Sequence, residues 1–238
     1  MFIKVKKAQF YTMAVAVIAV ALISASIIIV GVRNSMQNME VSDDIYFVFN
    51  NIRGETLERV ELILANLTQM DKSGATFNYL DVAKYYLDEW IDCLKNEYED
   101  RGYKLYISYD SSQLSYLRTW NTTVSTSIFK AIINIQLENE FAKIEQTVNA
   151  THIFKLSISK IDQIGTNLIV QVNFTKTVGI LEELSVDYAV VYINGTRANY
   201  IGGGMYQAEL VFTSPGTVTI YVSAVSSSGV FVEALKTL

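Results

Sequence analysis

From Ala8 to Val32 the chain runs for roughly 25 residues without a charged side chain, more than the ~20 apolar residues that cross a hydrocarbon core about 30 Å thick. A soluble core helix rarely runs this long without a polar face. Lys4, Lys6 and Lys7 precede the run, and only Arg33 follows it closely. That asymmetry predicts a short cytoplasmic amino terminus, a single pass through the cell membrane, and about 200 residues outside it. The first expected partner is therefore the lipid bilayer.

Three readings of the segment are open. An uncleaved signal anchor would target the chain and then hold it. A cleaved secretory signal would use Ser24-Ala25-Ser26 as its cut site, but Ile27-Ile28-Ile29-Val30 extends the apolar run past that point. The third rests on the junction Lys6-Lys7-Ala8-Gln9-Phe10-Tyr11-Thr12, which lies directly before the apolar run. It resembles the class III signal of archaeal type IV pilins and pilin-like proteins. The resemblance covers about the first 30 residues and implies a cut after a small residue that follows a basic one. Lys7 would then precede the cut, Ala8 would end the leader and Gln9 would begin the mature chain, with the apolar helix retained. Many type IV pilins carry a glutamate five residues into the mature chain, and Met13 stands there instead.

Composition excludes several chemistries. The net charge is −5 and the lysines are scattered, so no basic stripe offers a nucleic-acid interface. Cys93 is the single cysteine, which rules out an intrachain disulfide, a thiolate zinc site and a paired redox motif. In the helical run Trp90-Ile91-Asp92-Cys93-Leu94 it reads as a small buried apolar residue. His152 is the single histidine, so a multi-histidine metal site is impossible. It reads as the end of a strand over Ile153-Phe154-Lys155-Leu156-Ser157-Ile158, with no orienting carboxylate nearby to make it a catalytic base. No cofactor or metal is expected.

Beyond the membrane, Leu57, Val60, Leu64 and Leu67 fall on one face of a helix over 52–67, and Glu55, Glu58, Arg59 and Glu61 read as its solvated side. Asp71-Lys72-Ser73-Gly74 breaks it. Leu80, Ala83, Leu87, Trp90, Ile91, Leu94 and Tyr98 predict a second helix, capped by Asn78 and ended before Gly102. Its carboxylates Asp88, Glu89, Asp92, Glu97, Glu99 and Asp100 read as a solvated face, because no calcium-type loop follows.

From Tyr103 the period changes to two, with Tyr103, Leu105, Ile107 and Tyr109 on one side of a strand. Residues 110–125 read as loop with an ordered piece around 114–120. Ile133, Ile135 and Leu137 alternate as a strand would, with a return through Ile144, Gln146 and Val148, although a helix is open there too.

After residue 150, alternating runs at 154–158, 168–174, 188–192, 206–212, 218–224 and 230–235 are punctuated by turns. Those turns are Asn194-Gly195, Ser214-Pro215-Gly216 and Ser228-Gly229. The fold class expected is α+β: a transmembrane helix, an extracellular helical stem and an antiparallel β-sandwich. The expected divisions are 1–38 for the basic tip and membrane segment, 39–150 for a helical and mixed region, and 151–238 for the sandwich. Whether 121–150 belongs with the middle region or the sandwich is open.

The order Tyr192-Ile193-Asn194-Gly195-Thr196, Gly204-Met205-Tyr206-Gln207-Ala208 and Pro215 to Ala224 resembles immunoglobulin-like domains of prokaryotic surface proteins. That resemblance implies a stalk, spacer or adhesive module. Asn-x-Ser/Thr acceptors occur at Asn66, Asn121, Asn149, Asn173 and Asn194, with the hairpin position Asn194 the favoured glycosylation site. Gly202-Gly203-Gly204 lacks the Lys-Ser/Thr of a phosphate loop and reads as a flexible loop before a strand. Tyr85, Tyr86 and Tyr221 are candidate interface aromatics.

The function expected is that of a membrane-anchored extracellular structural or interaction protein. As a filament subunit its partners would be like subunits, and as an uncleaved adhesin or receptor it would bind other cell-surface proteins or glycans. No enzyme activity is expected. A surface-anchored hydrolase would require two carboxylates facing each other in a deep pocket.

Overall fold

The computed structural model describes residues 44–179, 183–211 and 217–238. The apolar run, the Lys7-Ala8-Gln9 junction and the Ser214-Pro215-Gly216 turn lie outside them. Among the described residues no helix is long and apolar enough to cross a membrane.

Helix α1, described over residues 44–72, buries Ile45, Phe49, Ile52, Val60, Ile63, Leu64 and Leu67. Their spacing of three and four builds one apolar stripe. Thr56 lies within the stripe, and its hydroxyl donates to the Ile52 carbonyl at 2.7 Å, so no polar group is orphaned there. The helix is longer than the 52–67 expected.

Helix α2 (Tyr79–Asp100) starts where the Asn78 side chain accepts from Leu80 N at 3.1 Å. It ends at Gly102, whose φ of +83° closes the last turn. Ala83, Leu87, Ile91, Leu94 and Tyr98 are its buried face. The Arg59 guanidinium ties the helices together by donating to the Tyr86 carbonyl at 3.0 and 3.3 Å.

The strands form two antiparallel sheets. The large sheet contains β1 (Lys104–Tyr109), β2 (Ser115–Thr119), β3 (Val124–Glu138), β4 (Lys143–Ile164), β5 (Asn167–Val178) and β6 (Leu184–Ser185). The small sheet begins with β7 (Val190–Ile193) and β8 (Thr196–Arg197). The chain then adds β9 (Asn199–Gly202) and β10 (Met205–Val211) to the large sheet, and β11 (Thr219–Val225) and β12 (Phe231–Thr237) to the small one.

Strand order is β1-β3-β4-β5-β10-β9 in the large sheet, with β2 on β3 and β6 on β5, and β12-β11-β7-β8 in the small one. The described chain is thus α+β, mainly antiparallel sheet with two helices. One face of the large sheet, carrying Phe129, Ile133, Phe154, Leu156, Val172 and Phe174, is buried. The helices and β12 cover it: α2 lies against β1, and β12 packs over β3 and β4 in the manner of a sandwich.

The α1 C-terminal half reaches the small sheet, where Thr68 Oγ1 accepts from Phe231 N at 3.1 Å and Gln69 Nε2 donates to the Gly229 carbonyl at 2.8 Å. On the other side of this junction, Trp120 meets Phe231 edge-on at 5.2 Å, and Ser127 Oγ donates to the Phe231 carbonyl.

Several expectations meet these elements directly. The hairpin through 138–140 is present with the register Leu137↔Ile144, Ile135↔Gln146 and Ile133↔Val148. A helix over those residues is therefore excluded. Asn194 and Gly195 turn β7 into β8 with φ of +48° and +79°. Residues 110–125 are more ordered than a loop, holding a 3-10 turn at Ser111–Gln113 and β2, which pairs with β3 from Ser115↔Lys130 to Thr119↔Thr126. The residues numbered 150 and 151 are consecutive members of β4, so the large sheet draws strands from both sides of that sequence division.

Candidate functional site

The turn at Asp187-Tyr188, the β8–β9 segment and the start of β10 enclose an open cleft of about 470 Å³. Its floor is fixed. Tyr206 is buried, its hydroxyl donating to the Val186 carbonyl at 2.6 Å and accepting from Ala189 N at 2.9 Å. That pair of bonds pins the 186–189 turn to β10. Tyr200 lies beside Tyr206 with ring centroids 5.3 Å apart and planes inclined at 54°.

The Tyr200 hydroxyl, Ser185 and the Gly204 backbone lie around the Asp187 carboxylate and hold its pKa below the usual carboxylate value. The neighbouring Asp187 carboxylate in turn raises the Tyr200 phenol. Arg197 and Asn199 line the opposite side, and Tyr188 projects at the rim with 88% of its surface exposed. Among the described residues Arg197 has no carboxylate within ion-pair distance.

A second cluster lies under α1. His152 is not at a strand end: it sits in the middle of β4 and is 2% exposed. Its inward position follows from the alternation Val148, Ala150, His152, Phe154, which places it on the buried face. Glu61, expected on the solvated side of α1, turns toward the sheet, where its Oε2 lies 3.4 Å from His152 Nδ1 and 3.4 Å from Lys176 Nζ. The helical stripe is wider than four leucine-type positions suggest, and Glu61 lies at its edge beside Val60.

Burial holds the His152 imidazole below its ordinary pKa; Glu61 opposes that shift, Lys176 adds to it, and the Leu57 carbonyl opposes it. The folded chain therefore resists a proton that unfolded His152 takes up below about pH 6.5. Stability is fully present above that pH and is lost as the pH falls below it. The urea midpoint is expected to drop between about pH 7.5 and 5.5, and His152→Leu is expected to flatten that drop. An equal drop in both proteins would remove His152 as its source.

Cys93 is exposed rather than buried. It follows Ile91 by two residues, which turns it about 200° around the helix axis, away from the inward stripe. Asp88, Asp92, Lys84 and Lys95 line an open groove of about 600 Å³ with Tyr109, whose hydroxyl donates to Asp88 Oδ1 at 2.7 Å. The two carboxylates stand one turn apart on the same helix and so do not oppose each other across a pocket. Among the described residues no three His, Cys, Asp or Glu side chains converge into a metal site.

Tyr85 is 64% exposed, Tyr86 is half-buried against Arg59, and the Tyr221 hydroxyl bonds Glu233. Of the triple glycine, Gly202 ends β9 and Gly203-Gly204 form a tight turn into β10.

The five asparagine acceptors differ sharply. Asn194 Nδ2 donates to the Thr219 carbonyl at 3.2 Å while its Oδ1 accepts from Tyr221 N at 2.7 Å. The favoured acceptor is thus a clasp between the hairpin and β11. Asn173 is half-buried, its Oδ1 has no hydrogen-bond partner among the described residues, and Thr175 two residues on is buried and bonded to Glu183. Asn66 and Asn121 are exposed. Asn149 is exposed on β4, where Thr151 Oγ1 donates to its Oδ1 at 2.8 Å, leaving Nδ2 toward solvent.

No family model matches this chain, and no curated protein or solved structure is significantly similar to it.

Proposed function

We propose that the chain is a single-pass, membrane-anchored extracellular interaction protein of the pilin-like kind, with an immunoglobulin-like distal sandwich. The observation that carries this is the uncharged Ala8–Val32 run behind three lysines, in a chain whose described residues begin with a helix, α1, clamped to both sheets. A pull on the amino-terminal side of α1 is resisted by its apolar stripe, by Glu61 with Lys176, and by the Thr68 and Gln69 bonds to the 229–231 turn.

In the filament form the apolar helices from Gln9 onward pack with those of like subunits, and the heads coat the outside. In the permanent-anchor form the same head meets other surface proteins or glycans. Asn149 and Asn121 are the acceptors whose surroundings best tolerate an N-glycan in the folded head, whereas Thr68 of the Asn66 acceptor is buried and bonded to Phe231 N.

The mass of the mature amino terminus tests the proposal. A chain beginning at Gln9 means pilin-type processing, and one retaining Lys6 and Lys7 means a permanent anchor. A chain beginning after Ser26 overturns the anchored reading altogether.

A further inference from the structure

We propose that the cleft between the Asp187-Tyr188 turn and β8–β10 is a binding site for a neutral saccharide. This deepens the reading of the head as an interaction module by assigning the surface and the ligand class. The volume of about 470 Å³ lies within the ~300–1,000 Å³ of small-ligand sites.

Two features of its lining select sugars. The first is aromatic. Tyr188 is 88% and Tyr200 45% exposed, and both belong to one concave surface rather than being scattered singly. Tyrosine rings present an apolar face with a polar tip, which suits the C–H face and the hydroxyl rim of a pyranose together. Tyr200 packs against the buried Tyr206, which holds its ring at the cleft wall and leaves less ordering to oppose binding.

The second is the balance of charge. Asp187 is an acceptor held in its ionised form, Arg197 is a donor without a carboxylate partner among the described residues, and Asn199 supplies both roles. Asp187 and Arg197 line the same cleft without an ion pair joining them. Hydroxyl groups donate and accept, so a neutral polyol satisfies both charges at once. A cationic ligand meets Arg197 and an anionic one meets Asp187 as a like charge. Each bond is individually modest, and affinities in the millimolar range are expected from a cleft this open.

The test is saturation-transfer NMR with titration, on the full chain in nanodiscs. The probes are maltotriose, cellotriose and triacetylchitotriose, with trigalacturonate as the charged contrast. At least one neutral trisaccharide is expected to bind with Kd below about 5 mM, and trigalacturonate more weakly. Tyr188→Ala and Arg197→Gln are each expected to weaken it about fivefold or more, with unchanged thermal midpoints because both side chains are exposed.

No binding by any neutral probe at about 10 mM, binding that survives both variants, or a preference for trigalacturonate overturns the proposal. Those results leave the membrane reading standing, because the amino-terminal mass decides that one independently.

Discussion

Gly204→Ala is expected to destabilise the fold by about 3 kcal/mol or more, measured by urea unfolding. Gly204 has a φ of +74°, and a Cβ built there lies 2.6 Å from the Phe174 carbonyl oxygen, 3.1 Å from Ser185 Cβ and 3.2 Å from Ser185 Cα. The nearest obstacle is backbone and cannot swing aside. The Gly204 carbonyl also accepts from Phe174 N at 2.8 Å, and the Phe174 carbonyl accepts from Val186 N at 3.0 Å. Moving the turn therefore strains the junction of β10, β5 and the 184–186 segment together. Gly203 is the internal control: its φ is +59° but nothing lies within 4 Å, so alanine there should cost only the left-handed strain, about 1–2 kcal/mol. Equal losses at the two positions would contradict the close approach at Gly204.

The second large effect is expected from Phe154→Ala, at about 3–5 kcal/mol. Phe154 is fully buried, and its ring centroid lies 5.9 Å from that of Phe174 on the neighbouring strand. The side chain stands on the covered face of the large sheet, so truncation opens a cavity in the packing that the helices and β12 share. Ile128→Ala on the other face of the same sheet, where the side chain is only half-buried, should cost about 1 kcal/mol or less. A small loss at Phe154 would mean that the face assignment of β4 is wrong.

Of the strands after residue 165, β5, β7, β10, β11 and β12 were legible because they alternate cleanly and are punctuated by turn residues such as Asn194-Gly195 and Ser228-Gly229; the two- to four-residue β6, β8 and β9 are too short to show a period. β3 and β4 were harder to read. With 15 and 22 residues they outrun ordinary strands, and the β4 sequence Glu145-Gln146-Thr147-Val148-Asn149-Ala150-Thr151 is polar on one face, so its continuity shows only once β3 and β5 pair on either side.

His152 and Glu61 were misread for one shared reason. Each lies at a position whose neighbours predict solvent, and only the meeting of α1 with β4, some 90 residues apart in the chain, removes the water. Cys93 shows the opposite error, in which residue type was trusted over helical angle. The cleft has no local signature at all. Asp187, Arg197, Asn199, Tyr200 and Tyr206 come from a turn and three strands belonging to two sheets. Tyr188 reads by alternation as the start of a strand over 188–192, whereas the structure puts it in the turn before β7.

The proposed topology puts the head outside a membrane that the amino-terminal run spans. Cys93 reports on it without any substitution, being the only cysteine in the chain and exposed on α2. A membrane-impermeant maleimide applied to intact cells is predicted to label Cys93 to the same extent as after lysis, with the labelled chain remaining in the membrane fraction. Labelling that appears only after lysis would place the head inside and overturn the proposed topology.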